Sequence, residues 1–354
     1  MPVQDALRSS RPTIVIDGET YPAVASALRE LALCDSDAGL AHGSLTLENW
    51  GPRNGGTDYQ YFDLRVFDFG KKLEVRLGDD VLFKGRISAI EASFDEGAPP
   101  TITVLAEDRL QSLRMSRRTR VFEDMSDADV IRQIANDHGL QAEVSLSGDT
   151  HRVLAQANDT DLAFLRERAR RGGFEIWADG DTLHAAERSS RRAAPVTLTT
   201  GASLRSFRVV ADLAHQVSSV SIGGWDVAAK DALKGEAEAS SLSSEGGGQR
   251  GADLVSSKLS ARTEAVTHSF PATASEADAI ARAWLAQRAR RFVVAHGVTE
   301  TTSDLKVGAR IKIEGVGPLF KGDYDLVGVT HRFDNRIGLR TEIALERAWI
   351  GEPA

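Results

Sequence analysis

Hydrophobic and polar positions alternate through the first hundred residues. Thr13-Ile14-Val15-Ile16 runs into Asp17-Gly18, and Leu73-Glu74-Val75-Arg76-Leu77 runs into Gly78-Asp79-Asp80. Successive side chains of a strand point to opposite faces of a sheet, so a period of two that ends in turn residues predicts half-buried strands. Gly85 is followed by Ile87, Ile90 and Phe94, and Pro99-Pro100 introduces Thr101-Ile102-Thr103-Val104-Leu105. Residues 12–110 therefore predict an antiparallel barrel or sandwich.

The period then changes. Ser126 with Asp129 three residues on is a capping-box signal, and Val130, Ile131, Ile134 and Ala135 share one helical face before Gly139. A second helix is predicted from about 158–161; it carries Leu162, Leu165 and Ala169 and stops at Gly172-Gly173. Phe174-Glu175-Ile176-Trp177 and the Asp179-Gly180-Asp181 turn lead to Leu183 as a hairpin. Strand patterns resume at Val196–Thr199 and Ser206–Trp225. Gly235–Gly251 is rich in Ser, Gly, Ala and Glu and reads as part of a mobile loop at 235–262. Ser275, with Asp278 in the box position, predicts a third helix whose Ile280, Ala281, Trp284 and Arg288 face one way, and strands follow up to Trp349. The predicted fold is mainly β with an α/β insert: antiparallel β-barrels at 1–115 and 191–350, and a small helical α/β domain at 116–190.

A self-match sharpens this picture. Leu82-Phe83-Lys84-Gly85 recurs as Leu319-Phe320-Lys321-Gly322, and both copies are expected within strands. Each is followed by an alternating strand ending in Phe-Asp, at Phe94-Asp95 and Phe333-Asp334. A turn then leads to Thr101–Ala106 or to Arg340–Leu345, while Val75-Arg76-Leu77 corresponds to Ile311-Lys312-Ile313 upstream. The pattern predicts an internal duplication. Three chains carrying two similar barrels each would present six around an axis.

Composition and charge remove function classes rather than add them. A chain of 354 residues suggests two or three domains at roughly 100 to 200 residues each. The net charge is -8 with Lys and Arg spread along the chain, which gives no nucleic-acid footprint. No apolar run approaches the length of about 20 residues that a spanning helix needs. The start, Met1-Pro2-Val3-Gln4-Asp5, lacks a secretory signal pattern and predicts folding in the cytoplasm. Cys34, the one cysteine, excludes an intrachain disulfide and reads as a small buried apolar residue.

No catalytic, cofactor-binding or metal-binding residue is assigned. There is no Gly-x-Ser-x-Gly elbow and no complete phosphate-binding loop; Gly315-Val316-Gly317-Pro318 is read as a turn between strands. His138 is read as a helix C-terminal cap, and Glu123, Asp124, Asp127 and Asp129 as charges favourable at a helix N-terminus. The basic runs Arg166–Arg171 and Arg288–Arg291 are expected on solvated or subunit-facing surfaces. Trp50, Trp177, Trp225, Trp284 and Trp349 are expected as core or interface anchors.

Four blocks carry a family resemblance: Leu82-Phe83-Lys84-Gly85-Arg86-Ile87 with Asp108 and Leu113; Phe122-Glu123-Asp124-Met125-Ser126 through His138-Gly139-Leu140; Gln156-Ala157-Asn158-Asp159-Thr160-Asp161-Leu162-Ala163-Phe164-Leu165 with Phe174 downstream; and Gln216-Val217-Ser218-Ser219-Val220 to Gly224-Trp225-Asp226. The pattern resembles the late control protein D family of contractile phages, the baseplate hub family that includes the hub portion of VgrG proteins in type VI secretion. It spans residues 73–226, and the repeat extends it to residue 347.

The resemblance implies a homotrimer whose tail-tube-like barrels form a pseudo-sixfold ring. Such a ring is a symmetry adaptor, joined to the tail tube or a tube-initiator protein on one side and to a threefold spike on the other, among other baseplate proteins of the virion or of a contractile injection system. VgrG-type chains continue into a needle, whereas this sequence stops at Ala354, so the spike is expected as a separate chain. The expectation is a structural protein made in the bacterial cytoplasm, without cofactor, sequence-specific nucleic-acid contact or membrane insertion. The alternatives are a tail-associated peptidoglycan hydrolase and a carbohydrate-binding tail-tip protein.

Overall fold

The structure is a computed structural model that describes residues 11–37, 39–53, 55–191, 193–226, 229–242 and 248–352. The alternating segments of the first half form β1 (Thr13–Ile16), β2 (Leu28–Ser36), β3 (His42–Glu48), β4 (Lys72–Leu77), β5 (Asp80–Ser93) and β6 (Thr101–Glu107). Their spatial order is β2-β3-β6-β5-β4-β1, antiparallel throughout. Period-two burial puts Leu45 and Leu47 of β3 and Ile102, Val104 and Ala106 of β6 in one core with Leu73, Val75 and Ile87. Removing each large side chain of that set from water contributes about 1.5–3 kcal/mol.

Next come β7 (Arg117–Met125), α1 (Asp127–Asp137), β8 (Gln141–Ser145), β9 (His151–Thr160), α2 (Asp161–Gly172), β10 (Phe174–Asp179) and β11 (Thr182–Glu187). The expected capping box is present: Ser126 Oγ accepts from the Asp129 amide, and the Asp129 carboxylate accepts from the Ser126 amide. α2 ends as the sequence predicts, on Gly173 in the left-handed region at φ 72°. β7 and β9 form a ribbon, and β8, β11 and β10 form a second small sheet under the two helices.

The second half consists of β12 (Ala193–Thr199), β13 (Leu204–Ala211), an insertion, and β17 (Val293–Glu300), β18 (Ala309–Glu314), β19 (Gly322–Asp334) and β20 (Gly338–Arg347). The insertion contains β14 (Ser219–Asp226), β15 (Asp231–Glu238), β16 (Thr263–Val266) and α3 (Ala274–Arg290) around its own core of Val220, Ile222, Ile280 and Leu285. The insertion corrects the sequence reading twice. Of the segment 235–262 expected as a mobile loop, residues up to Glu238 continue β15, paired residue for residue with β14, and helical turns span 251–259; residues 243–247 lie outside the described residues. Small residues there serve packing: a Cβ on Gly235 would stand 2.2 Å from the Ala277 carbonyl carbon, so β15 lies against α3 only without a side chain. The third helix is capped by Thr273 Oγ1 on the Glu276 amide rather than by Ser275, and Asp278 instead accepts the Glu236 amide of β15.

The two halves share one topology. Strand order in the second is β13-β17-β20-β19-β18-β12. Ile87 pairs with Ala106 and, across a bulge, Ala89 with Leu105; Leu326 likewise pairs with Leu345 and Gly328 with Ala344. A second bulge also coincides, between Leu28 and Glu30 of β2 and between Leu204 and Ser206 of β13. Bulges re-aim a strand at a fixed place, so two in one register is duplication at the level of structure. One ladder differs, since β1 meets β4 antiparallel and β12 meets β18 parallel. In this register Phe94-Asp95 matches Phe333-Asp334 and Thr101–Ala106 matches Arg340–Leu345, as the sequence suggests. The tetrapeptide does not: Leu82–Gly85 lies inside β5, whereas Leu319 and Phe320 lie in the turn before β19, and Phe83 corresponds to Gly322.

Among the described residues both halves join through β19 and β2 in one thirteen-stranded sheet, which also takes in the short strand Glu19–Thr20 beside β1. Among the described residues neither half closes a ring of ladders on itself, as a barrel in the strict sense would. The edge of β2 that could close the first half is taken by the second.

Candidate functional site: the junction of the two halves

β19 divides its outer edge. Gly322–Asp325 pairs with β18, and Gly328–Asp334 pairs antiparallel with Glu30–Ser36 of β2. Around that ladder Arg11 donates to Asn335 at 2.7 Å and lies over the Phe333 ring at 5.2 Å, and Ser303 donates to Asp80 at 2.8 Å.

Beneath the ladder, charges from all three units meet. Arg188, just after β11, reaches Asp37 at 3.1 Å, Glu175 at 3.2 Å and Glu346 at 3.0 Å. Arg290 at the end of α3 also reaches Glu346 at 3.1 Å, and Arg191 reaches Glu175 at 3.2 Å while lying over Trp177 at 4.6 Å. Burial pushes Glu346 above the usual carboxylate range, with Arg188 and Arg290 pulling it back. Burial also opposes the charge on Arg188, yet Glu346, Glu175, Asp325 and Asp37 hold it above its ordinary value. These groups are far apart in sequence, so periodicity carried no signal for them.

A cleft of about 520 Å³ opens beside the ladder, lined among others by Cys34, Asp35, Phe83, Asp108, Trp177 and His331. Cys34 is half-buried there, not fully buried as expected. The Asp108 carboxylate accepts the Ala41 and Leu110 amides, both 2.9 Å or less, and burial pushes it up to about 6. His331 sits 2.8 Å from Thr341 Oγ1, which donates onward to Thr301, and burial pushes the ring down to about 4.

The two groups oppose each other in the pH dependence of stability. The unfolded chain protonates His331 at 6.5 and the folded chain near 4. That contribution is present above pH 6.5 and lost as pH falls through 4, by about 3 kcal/mol. For Asp108 the folded value near 6 exceeds the ordinary 3.8, so its contribution is present below 3.8 and lost as pH rises through 6. His331→Gln removes one slope, and the variant is expected to gain about 3 kcal/mol relative to the parent between pH 7 and pH 4. Urea unfolding at both pH values checks this; a parent-to-variant difference that does not change with pH refutes it.

A second buried network organises the α/β unit. Asp161, 1% exposed, opens α2 and accepts from Arg120 at 2.8 Å, from Gln156 at 2.9 Å and from His138 Nε2 at 2.8 Å, with Arg118 at 3.3 Å. Burial works against its charge, but these partners hold it below the usual carboxylate range. His138 is the C-cap residue of α1 as expected, though its ring turns to Asp161 rather than to the last carbonyls.

Other expected features are placed as follows. Asp127 and Asp129 lie in the first turn of α1, and Asp127 takes both donors of Arg168 at 2.6 and 3.0 Å. The basic runs are largely internal, not solvated: Arg168 and Arg171 meet Glu276 of α3, Arg288 meets Glu264, and Arg290 meets Glu346. Trp177 stacks on His184 and Trp349 lies under Arg347, while Trp50 and Trp225 are exposed. Gly315–Pro318 is the turn between β18 and β19. Among the described residues no group of three or more His, Cys, Asp or Glu side chains is placed to hold a metal, and no helix is long and apolar enough to cross a membrane.

The fold defined by these sheets is that of phage tail proteins. A 43 kDa tail protein of prophage MuSo2 from Shewanella oneidensis superposes at a TM-score of 0.71 with 15% identity, over 96% of this chain and 98% of its own. A tail protein from Neisseria meningitidis gives 0.67 with 13% identity over 96% and 97%. An E. coli protein described as a component of the type VI secretion system with structural similarity to bacteriophage T4 tail proteins gives 0.60 with 11% identity over 96% and 79%. No curated protein matches by sequence. A family model does, over residues 44–335: the chain belongs to the Alg8 N-terminal domain family.

Proposed function

We propose that the chain is a baseplate hub protein of a contractile tail or tail-like injection system, a structural adaptor of the late control protein D kind rather than an enzyme. In this reading residues 1–115 and 191–350 act as two tube-like units and 116–190 as the α/β unit beside them. Three copies surround a lumen and present six related sheets to the sixfold tail tube and three equal faces to a spike. The observation that carries the reading is the duplication, two halves with one strand order and two bulges in register, joined edge to edge. Repetition of one unit in a chain is what lets a threefold assembly imitate a sixfold one. The likeness to solved tail proteins supports the same reading.

Light scattering on the purified protein, alone and with its spike protein, tests it. A trimer, or a monomer that becomes a three-to-three complex on mixing, is expected. A monomer indifferent to the spike overturns the proposal.

A further inference from the structure

The duplication makes a pairing within the chain a template for one between chains. Inside the chain the lower part of β19 pairs with β2. The counterparts of these strands, fixed by the two shared bulges, are β5 and β13. Among the described residues both have an unpaired edge where the template demands one. β4 accompanies β5 only as far as Arg86, so Ala89–Ser93 has a partner on one side, β6. Among the described residues β13 pairs along its length with β17 and ends the sheet, its other edge meeting a single isolated bridge, from Thr200 to Leu204, ahead of Ser206.

Exposure follows the same logic. Phe333 is covered by the first half and 4% exposed, whereas its counterpart Phe94 is 61% exposed. Cys34 of β2 is half-buried by β19, whereas its counterpart Val210 is 48% exposed. An edge strand with exposed apolar residues is a template for another strand. The charges are also of opposite sign, since Glu91 and Asp95 lie along the β5 edge and Arg208 along the β13 edge, where Arg205 is already held by Glu300.

We propose that residues 89–95, along the end of β5 and just past it, pair antiparallel with residues 206–212, along β13 and just past it, in a second copy of this chain, repeating between chains the junction that β19 and β2 make within one. The internal register Thr330 to Cys34 and Phe333 to Leu31 transfers to Glu91 opposite Val210 and Phe94 opposite Phe207. The contact joins different edges of the two copies, and such a heterologous contact propagates until it closes a ring. The number of copies rests on the hub reading; the strand pairing is a separate claim.

Cysteine pairs separate the two. Thr330 Oγ1 lies 3.7 Å from Cys34 Sγ, so Thr330→Cys in the otherwise native chain is expected to form an intrachain disulfide and serves as the geometric control. Glu91→Cys with Val210→Cys, in a Cys34→Ser background, is expected to give a covalently closed trimer on a non-reducing gel after mild oxidation. The off-register pair Glu91→Cys with Arg208→Cys is expected to stay uncrosslinked. Val210→Asp, which sets an acid against Glu91, is expected to weaken assembly about tenfold per junction. A trimer by light scattering whose Glu91→Cys and Val210→Cys thiols stay reduced overturns the pairing and leaves the hub reading standing. Open covalent chains uphold the pairing and overturn the three-copy ring, and a protein monomeric at every concentration overturns both.

Discussion

Asp161→Ala is expected to lower the stability of the protein by about 4 kcal/mol, in the range that removal of one member of a buried ionic group costs. The carboxylate is 1% exposed and is the shared acceptor of Arg120, Gln156 and His138, with Arg118 beside it. Arg120 retains Asp137 at 2.7 Å and Gln156 Oε1 at 2.9 Å, and Gln156 retains the Asp159 carbonyl at 2.9 Å, but His138 Nε2 loses the carboxylate and the Arg118 and Arg120 guanidiniums face each other without the charge between them. Asp161→Asn keeps the volume and one acceptor oxygen and is expected to lose about half as much. Urea unfolding of the three proteins at pH 7 reads the difference. A loss under about 1 kcal/mol for the alanine variant means the network does not hold the ribbon, α1 and α2 together.

Local chemistry made much of the α/β unit readable in the sequence. Ser126 and Asp129 sit three residues apart because a cap must reach the third amide, and Gly173 marks the end of α2 because only glycine turns left-handed there without strain. Strand positions were equally legible wherever one face is buried, as in Leu73 and Val75 or Ile102 and Val104. The tetrapeptide misled because its letters agree while its register does not; Phe333-Asp334, which end β19, and Phe94-Asp95, which directly follow β5, mark the true equivalence because the two strands carry the same bulge.

The insertion at 219–290 was hidden for a different reason. β15 reads as loop because Gly235 and its small neighbours are chosen for contact with α3, and an absence of bulky side chains looks the same in a close-packed strand as in a flexible one. The junction was invisible for a third reason. Asp37, Glu175 and Glu346, which meet on Arg188, belong to separate units, and no periodicity relates charges that meet only when three units have folded. What sequence did disclose there was the duplication, and the duplication explains why β19 and β2 have edges to share.

Arg188→Met is the corresponding test of the junction and is expected to cost about 4 kcal/mol at pH 8. The guanidinium spans Asp37 of the first half, Glu175 of the α/β unit and Glu346 of the second half, each within 3.2 Å. Methionine replaces the stem but leaves Glu346 with Arg290 and Glu175 with Arg191. Glu346 is already held above its ordinary 4.5 by burial, and loss of Arg188 raises it further. A raised carboxylate contributes stability that is present below 4.5 and lost as pH rises through its folded value, so the defect should shrink between pH 8 and pH 5. Adding Glu346→Gln should recover part of the loss at pH 8, because the buried carboxylate, left with Arg290 alone where it had two cations, is then removed. Hydrogen exchange locates the damage: amides of Glu30–Ser36 and Gly328–Asp334 should lose protection before those of β3 and β6. Equal loss across every sheet would mean that Arg188 stabilises the chain at large and not the edge where its two halves meet.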